Sequence, residues 1–153
     1  MRCLFMIRFA LPVFLLMAPL GALAATSPTV TLHGSAFSTE FATNDASREL
    51  GLMNRTNLAA DHSMLFIFTD DQPRAFWMKN TLIPLDILYF DKARRLVAMQ
   101  LDAQPCKADP CAIYPSGGQY ARYVLELKAG TAGKLGLTLG DTLAIDGDPG
   151  TVR

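Results

Sequence analysis

The chain has 153 residues, 14 basic against 14 acidic, and half of them are hydrophobic. A length of this order is one domain with room to bury roughly two-thirds of its unfolded surface. The even charge gives no electrostatic footprint for nucleic acid or an anionic membrane surface.

The opening segment reads as separate from that domain. "MRCLFMIRFALPVFLLMAPLGALAATS" carries Arg2 and Arg8, an apolar run from Phe9 to Leu20, and Ala22-Leu23-Ala24. That is the pattern of a secretory signal peptide, residues 1–24, cut after Ala24. Pro12, Pro19 and the shortness of the run argue against a spanning helix, which needs about 20 apolar residues. No cysteine follows the small residues, so a lipid anchor is not expected at this site. The expected mature domain is 25–153. It loses Arg2 and Arg8, leaving 12 basic against 14 acidic residues and a net charge near −2. A periplasmic or secreted location follows, with the membrane met only through the signal peptide during export.

In the mature chain, "TVTLHGSAFSTEFA" reads as two short strands around Gly34-Ser35. Val30 and Leu32 alternate with Thr29, Thr31 and His33, and Phe37 and Phe41 share a face with Thr39. Asn44 is a fitting N-cap for "DASRELGLMNR", with Asp45 at the acidic first position. Ala46, Leu50 and Met53 fall on one stripe and Arg48, Leu52 and Arg55 on another. A helix of about ten residues ending near Asn54 is predicted. "MLFIF" is a buried strand, "TDDQPR" a turn, and "AFWMK" a strand whose partner across "NTLIP" is "LDILYFD". After a turn at "KARR", "LVAMQLD" is a strand. "AQPCKADPCAIYPSGGQY" is a long connection, "ARYVLELK" a strand, "AGTAGKLG" one or two helical turns closed by Gly136, and "DTLAID" the last strand. About eight short strands with two brief helices predict a mainly β fold, a compact antiparallel β-sandwich or partly closed barrel.

Once Cys3 has left with the leader, Cys106 and Cys111 remain, in "PCKADPCAIY". In an oxidising compartment they predict a disulfide that pins the irregular loop around Asp109-Pro110. The spacing is not Cys-x-x-Cys, so thiol exchange has no support. The rival is a metal site shared with His33 or His62, whose unrelated spacings speak against it. No metal and no cofactor are expected.

The chemistry concentrates in "AFWMKNTLIPLDILYFD". Period two puts Phe76 and Met78 on one face and Trp77 and Lys79 on the other. Leu82 and Ile83 make the turn unusually apolar for an exposed tip. Asp86 stands among apolar strand residues, as does Glu126 in "YVLELK", and a buried carboxylate is costly unless paired. Lys79, Arg48 and Arg55 are the cations that could meet these acids. Two readings stand side by side. In one, Asp86 forms a buried ion pair and Asn80 and Thr81 bond turn backbone, with no ligand. In the other, Trp77, Lys79, Asn80 and Asp86 line a cleft with Arg48 or Arg55, the indole as a flat wall and the cations drawing an anion.

Other catalytic patterns are poor. His62 and Ser63 are sequence neighbours without a Gly-x-Ser-x-Gly elbow. "PSGGQY" is too short for a phosphate loop, and "LGLTLGD" reads as a turn into a strand. Asp86 and Glu126 could pair for general-base or glycoside chemistry, though nothing in the sequence fixes their separation.

Read together, "RELGLMNR", "MLFIF", "FWMKNTLIPLDILYFD", "PC", "YVLEL" before "KAG" and "LGLTLGD" resemble, in that order, the domain of unknown function 192 family. The likeness runs from about Ser38 to Ile145, and the Phe-Trp-Met-Lys-Asn-Thr run before Ile-Pro-Leu-Asp is its most specific part. Arg48, Gly51, Met53, Arg55, Trp77, Lys79, Asn80, Thr81, Pro84 and Asp86 match position by position. The resemblance implies a compact, mainly β and often exported domain, with no established activity. One departure is Ser63, where the family has glycine before Met-Leu-Phe. If that glycine serves a positive φ, Ser63 should be strained.

Three functions fit these residues. The first is a periplasmic binding or accessory module for a small polar or anionic ligand. The second is a hydrolase or transferase using Asp86 or Glu126 as general base beside Lys79. The third is a docking module for a protein partner. A binding site predicts a cleft walled by Trp77, an enzyme adds a perturbed carboxylate within it, and a docking module predicts an exposed apolar patch.

Overall fold

The computed structural model describes residues 27–153, so the leader expected at residues 1–24, with Cys3, lies outside the described residues. Seven strands and two short helices follow in chain order. They are β1 (Thr29–Leu32), β2 (Ser35–Ala42), α1 (Asp45–Leu50), β3 (His62–Trp77), β4 (Leu85–Phe90), β5 (Leu96–Ala103), β6 (Ile113–Lys128), α2 (Thr131–Leu135) and β7 (Ala144–Asp146). All seven strands join one curled sheet, a partly open barrel, in the order β5-β4-β6-β3-β2-β1-β7. The fold is mainly β as expected. Every pair is antiparallel except β2 with β3, which run parallel with Ser38 opposite His62.

Two 16-residue strands, β3 and β6, form the spine. "MLFIF" and "AFWMK" are thus one strand, with "TDDQPR" a bulge rather than a turn. Four residues of β3, Phe68 to Asp71, face Arg122 alone between the Ile67–Tyr123 and Gln72–Ala121 pairs. Asp71 and Arg122 close that bulge with an ion pair at 2.9 Å, and Arg74 binds Asp70 within β3. A second bulge answers on β6, where Ser116 to Gln119 face Arg74 alone. Gly117 and Gly118 take positive φ of 63° and 84° there, and the Ser116 hydroxyl donates to the Gln119 carbonyl at 2.6 Å. The "PSGGQY" stretch is therefore a strand bent by a bulge.

The expected hairpin between "AFWMK" and "LDILYFD" does not form. β6 lies between them, pairing Ile113 with Trp77 on one side and Leu127 with Asp86 on the other. β4 is buried at every residue because apolar layers cover both its faces. Leu88 and Phe90 join Leu65, Ile67, Leu125 and Leu127 in the layer that takes in α2 through Ala132. Ile87 and Tyr89 join Met64, Phe66 and Val124 in the layer sealed by Leu52, Leu58 and Met78.

Helix α1 starts as predicted. The Asn44 side chain accepts from the Ser47 N–H at 3.0 Å, and the Ser47 hydroxyl accepts from the Asn44 N–H, a complete capping box. It is shorter than predicted, six residues, because Gly51 takes φ of +46° and ends it. Ser63 is not strained. It sits inside β3, fully buried, outside the positive-φ residues, with its hydroxyl 2.8 Å from that of Thr39.

Candidate functional site

Trp77 is the last residue of β3, where the chain leaves the sheet. Met78, 1% exposed, plugs the core and fixes the exit, so Lys79 and Asn80 turn at the surface while Thr81, 6% exposed, stays inside. The Thr81 N–H donates to the Met78 carbonyl at 3.2 Å. Asn80 holds φ of +55°, a conformation asparagine tolerates better than most residues. Its carbonyl accepts from the Asn54 N–H at 2.8 Å, which ties the turn to the segment leaving α1.

Two clefts meet at the indole. One, of about 450 Å³, runs to α1 and is lined by Ala46, Glu49, Leu50 and Met53 opposite Trp77, Lys79 and Asn80. The other, of about 600 Å³, runs to the 106–111 loop and is lined by Trp77, Lys79, Asp109, Pro110, Cys111 and Ile113. Cys106 and Cys111 form the expected disulfide. Its loop docks on the same turn, the Cys106 N–H donating to the Met78 carbonyl at 3.2 Å. Trp77 stays 45% exposed between the clefts. The Lys79 ammonium lies 5.7 Å from the indole and 3.6 Å from Asp109. Such a site offers a flat apolar wall, a cation, a carboxylate at Glu49 and an amide at Asn80.

The other expected site residues serve elsewhere. Arg48 donates to the Ile67 carbonyl at 2.9 Å and the Arg153 carbonyl at 2.7 Å, and pairs with Asp45 at 2.6 Å. It fastens α1 to β3 and to the C-terminal segment. Arg55 grips Glu40 through both terminal nitrogens, each at 2.6 Å, and His62 shares that carboxylate at 2.8 Å. The Arg55 guanidinium holds the Glu40 carboxyl below its ordinary range, against partial burial.

Asp86 meets none of the three cations. Almost fully buried, it accepts the N–H of Asp102 at 3.0 Å and of Ala132 at 2.9 Å, so backbone satisfies it and it seats α2 against the end of β5. Glu126 is 4% exposed, and its Oε2 has no hydrogen-bond partner among the described residues. Burial pushes its carboxyl up to about 8. The two acids pair with neighbours one register apart, Asp86 with Leu127 and Ile87 with Glu126. Alternation therefore sends them to opposite faces of the sheet, where they cannot flank one substrate.

The rival metal site gains nothing. The Cys106, Asp109 and Cys111 ligand atoms lie within 4.8 Å of one another, but both sulfurs are spent in the disulfide. His33 sits 2.9 Å from Asp141, and His62 is on Glu40, away from the cysteines. Glu49, Leu50, Met53 and the disulfide loop complete the clefts although no site motif marks them. The Ala46–Leu50–Met53 stripe was their signal, an apolar face shared by a helix that buries no residue and the turn that follows it.

A search of curated proteins finds no match. A proposed transcription regulator from Sinorhizobium meliloti is similar at 36% identity, covering 82% of this chain and 98% of that one, with a TM-score of 0.69. A protein of unknown function from Novosphingobium aromaticivorans is similar at 32% identity, covering 84% and 91%, with a TM-score of 0.67. The family model DUF192, described as an uncharacterized ACR, matches residues 28–145, most of the chain, and the chain belongs to that family.

Proposed function

We propose that this chain is an exported binding or accessory module that holds a small polar or anionic ligand against Trp77. The observation that carries the reading is the half-exposed indole standing between two clefts, with Lys79 and Asn80 on a turn braced by backbone bonds. Glu49 and Lys79 in one cleft favour a ligand carrying both an amine and a carboxylate, such as a free amino acid or a peptide terminus. Export draws support from the leader pattern and from the disulfide, and no described helix is long and apolar enough to cross a membrane. Use of Asp86 or Glu126 as a general base is the weaker reading, since one is held by backbone donors and the other is sealed. Docking of a protein partner draws on Leu50, Trp77 and Ile113, which are 58%, 45% and 57% exposed.

A thermal-shift titration of the domain with amino acids, dipeptides and muropeptides tests the first reading. A ligand that binds only the folded state raises the melting temperature by mass action. The rise should vanish in Lys79→Ala and Trp77→Ala, which should themselves melt close to the parent. Variants that melt many degrees lower would make these residues scaffold. Silence from every probe, with Leu50→Asp abolishing capture of a single partner protein, would favour docking.

A further inference from the structure

The turn from β4 to β5 breaks a local rule. The Arg94 N–H donates to the Asp91 carbonyl at 2.9 Å and the Asp91 N–H to the Arg95 carbonyl at 3.0 Å. That is a three-residue hairpin loop whose last position needs a left-handed backbone, and glycine is the residue that supplies it at least cost. Here the position is Arg94, at φ of +61°. Its guanidinium makes no hydrogen bond and no ion pair among the described residues, and stands 6.0 Å from the Tyr123 ring.

Arg94 lines a cleft of about 370 Å³, within the range of small-molecule sites. Arg122 lines it too, spending only Nε on Asp71 and leaving its terminal nitrogens without a hydrogen bond among the described residues. The remaining walls are mostly apolar, from Phe68, Tyr123, Ile145 and Val152. None of the nearby carboxylates pairs with Arg94. Asp70 holds Arg74, Asp71 holds Arg122, and Asp146 and Asp148 accept the N–H of Gly147 and Gly150. The cleft shares no lining residue with those at Trp77.

We infer that this cleft is a second binding site, for a small molecule that carries a carboxylate or phosphate monoester on a flat apolar body. The anionic head would sit between the Arg94 and Arg122 guanidinia, which match its planar or tetrahedral oxygens with paired donors. The apolar body would lie along Tyr123 and Val152. A strained arginine where glycine would relax the turn is explained by the charge it delivers.

The test is a titration of the domain with benzoate, phenyl phosphate and inorganic phosphate, followed by NMR chemical-shift mapping. Saturable shifts should centre on Tyr123 and the Arg94 turn, with inorganic phosphate weaker than phenyl phosphate. Arg94→Gly is the deciding variant because it suits the backbone. It should keep or raise the melting temperature while weakening binding by about tenfold or more, as loss of a charged hydrogen bond does. Arg122→Gln should weaken it similarly, and Trp77→Ala should leave it unchanged, whatever becomes of the first site. Absence of saturable shifts at millimolar concentrations, or undiminished affinity in Arg94→Gly, would overturn the inference. Equal affinity for inorganic and phenyl phosphate would overturn its apolar part.

Discussion

Glu126→Gln should change how stability depends on pH. In the fold, burial raises the Glu126 carboxyl from 4.5 to about 8, so the folded chain prefers the protonated acid while the unfolded chain ionises it. A raised acid contributes stability in full below pH 4.5, loses it as pH rises, and has none left above about pH 8. At 1.36 kcal/mol per unit, the loss reaches roughly 3 kcal/mol by neutral pH and roughly 5 kcal/mol beyond pH 8. Glutamine keeps the shape and cannot ionise. Urea denaturation of both proteins from pH 5 to pH 8 reads the difference directly, and comparing the pair cancels the titrations they share. The variant should gain on the parent by about 1.4 kcal/mol per pH unit through the middle of that range. A constant difference across it would mean that Glu126 ionises alike in both states, and the sealed carboxyl would have to be abandoned.

Three further outcomes follow from named contacts. Asp86→Asn should lower stability by about 2 kcal/mol in denaturant titration, because one acceptor becomes an NH2 facing either the Asp102 or the Ala132 N–H. Reducing the Cys106–Cys111 bond, or replacing both with serine, should cost about 2 kcal/mol by the loop-entropy argument, read as a lower melting temperature. Arg55→Gln should raise the Glu40 pKa, measured by NMR titration. The stability that the parent keeps above the ordinary carboxylate range, and loses as pH falls through the lowered Glu40 value, should shrink.

Local patterns were readable and distant pairings were not. The Asn44 cap, the stripes of α1, the helical turn closed by Gly136 and the alternation of β1 and β2 depend on residues within a few positions of one another. The continuity of β3 through "TDDQPR" depends on Arg122, 51 residues beyond Asp71, which turns a polar break into an ion-paired bulge. The hairpin expected across "NTLIP" failed because β6, from the far end of the chain, outcompetes the nearer partner on both sides. Asp86 announced itself as an acid needing a partner, but that partner is backbone, which carries no letter in the sequence. At the candidate site, Trp77, Lys79 and Asn80 could be read because one short run holds them. Arg48 and Arg55 misled because their charges are answered by Asp45 and Glu40.

β6 lies between β3 and β4, so these two share a neighbour that is synthesised only after both of them. Until residue 128 has emerged, β3 and the wholly buried β4 lack their shared neighbour. A ribosome-bound chain is thereby denied early closure of its core. Closure of this sheet must wait for β6, so a chaperone would find its binding surface open until then.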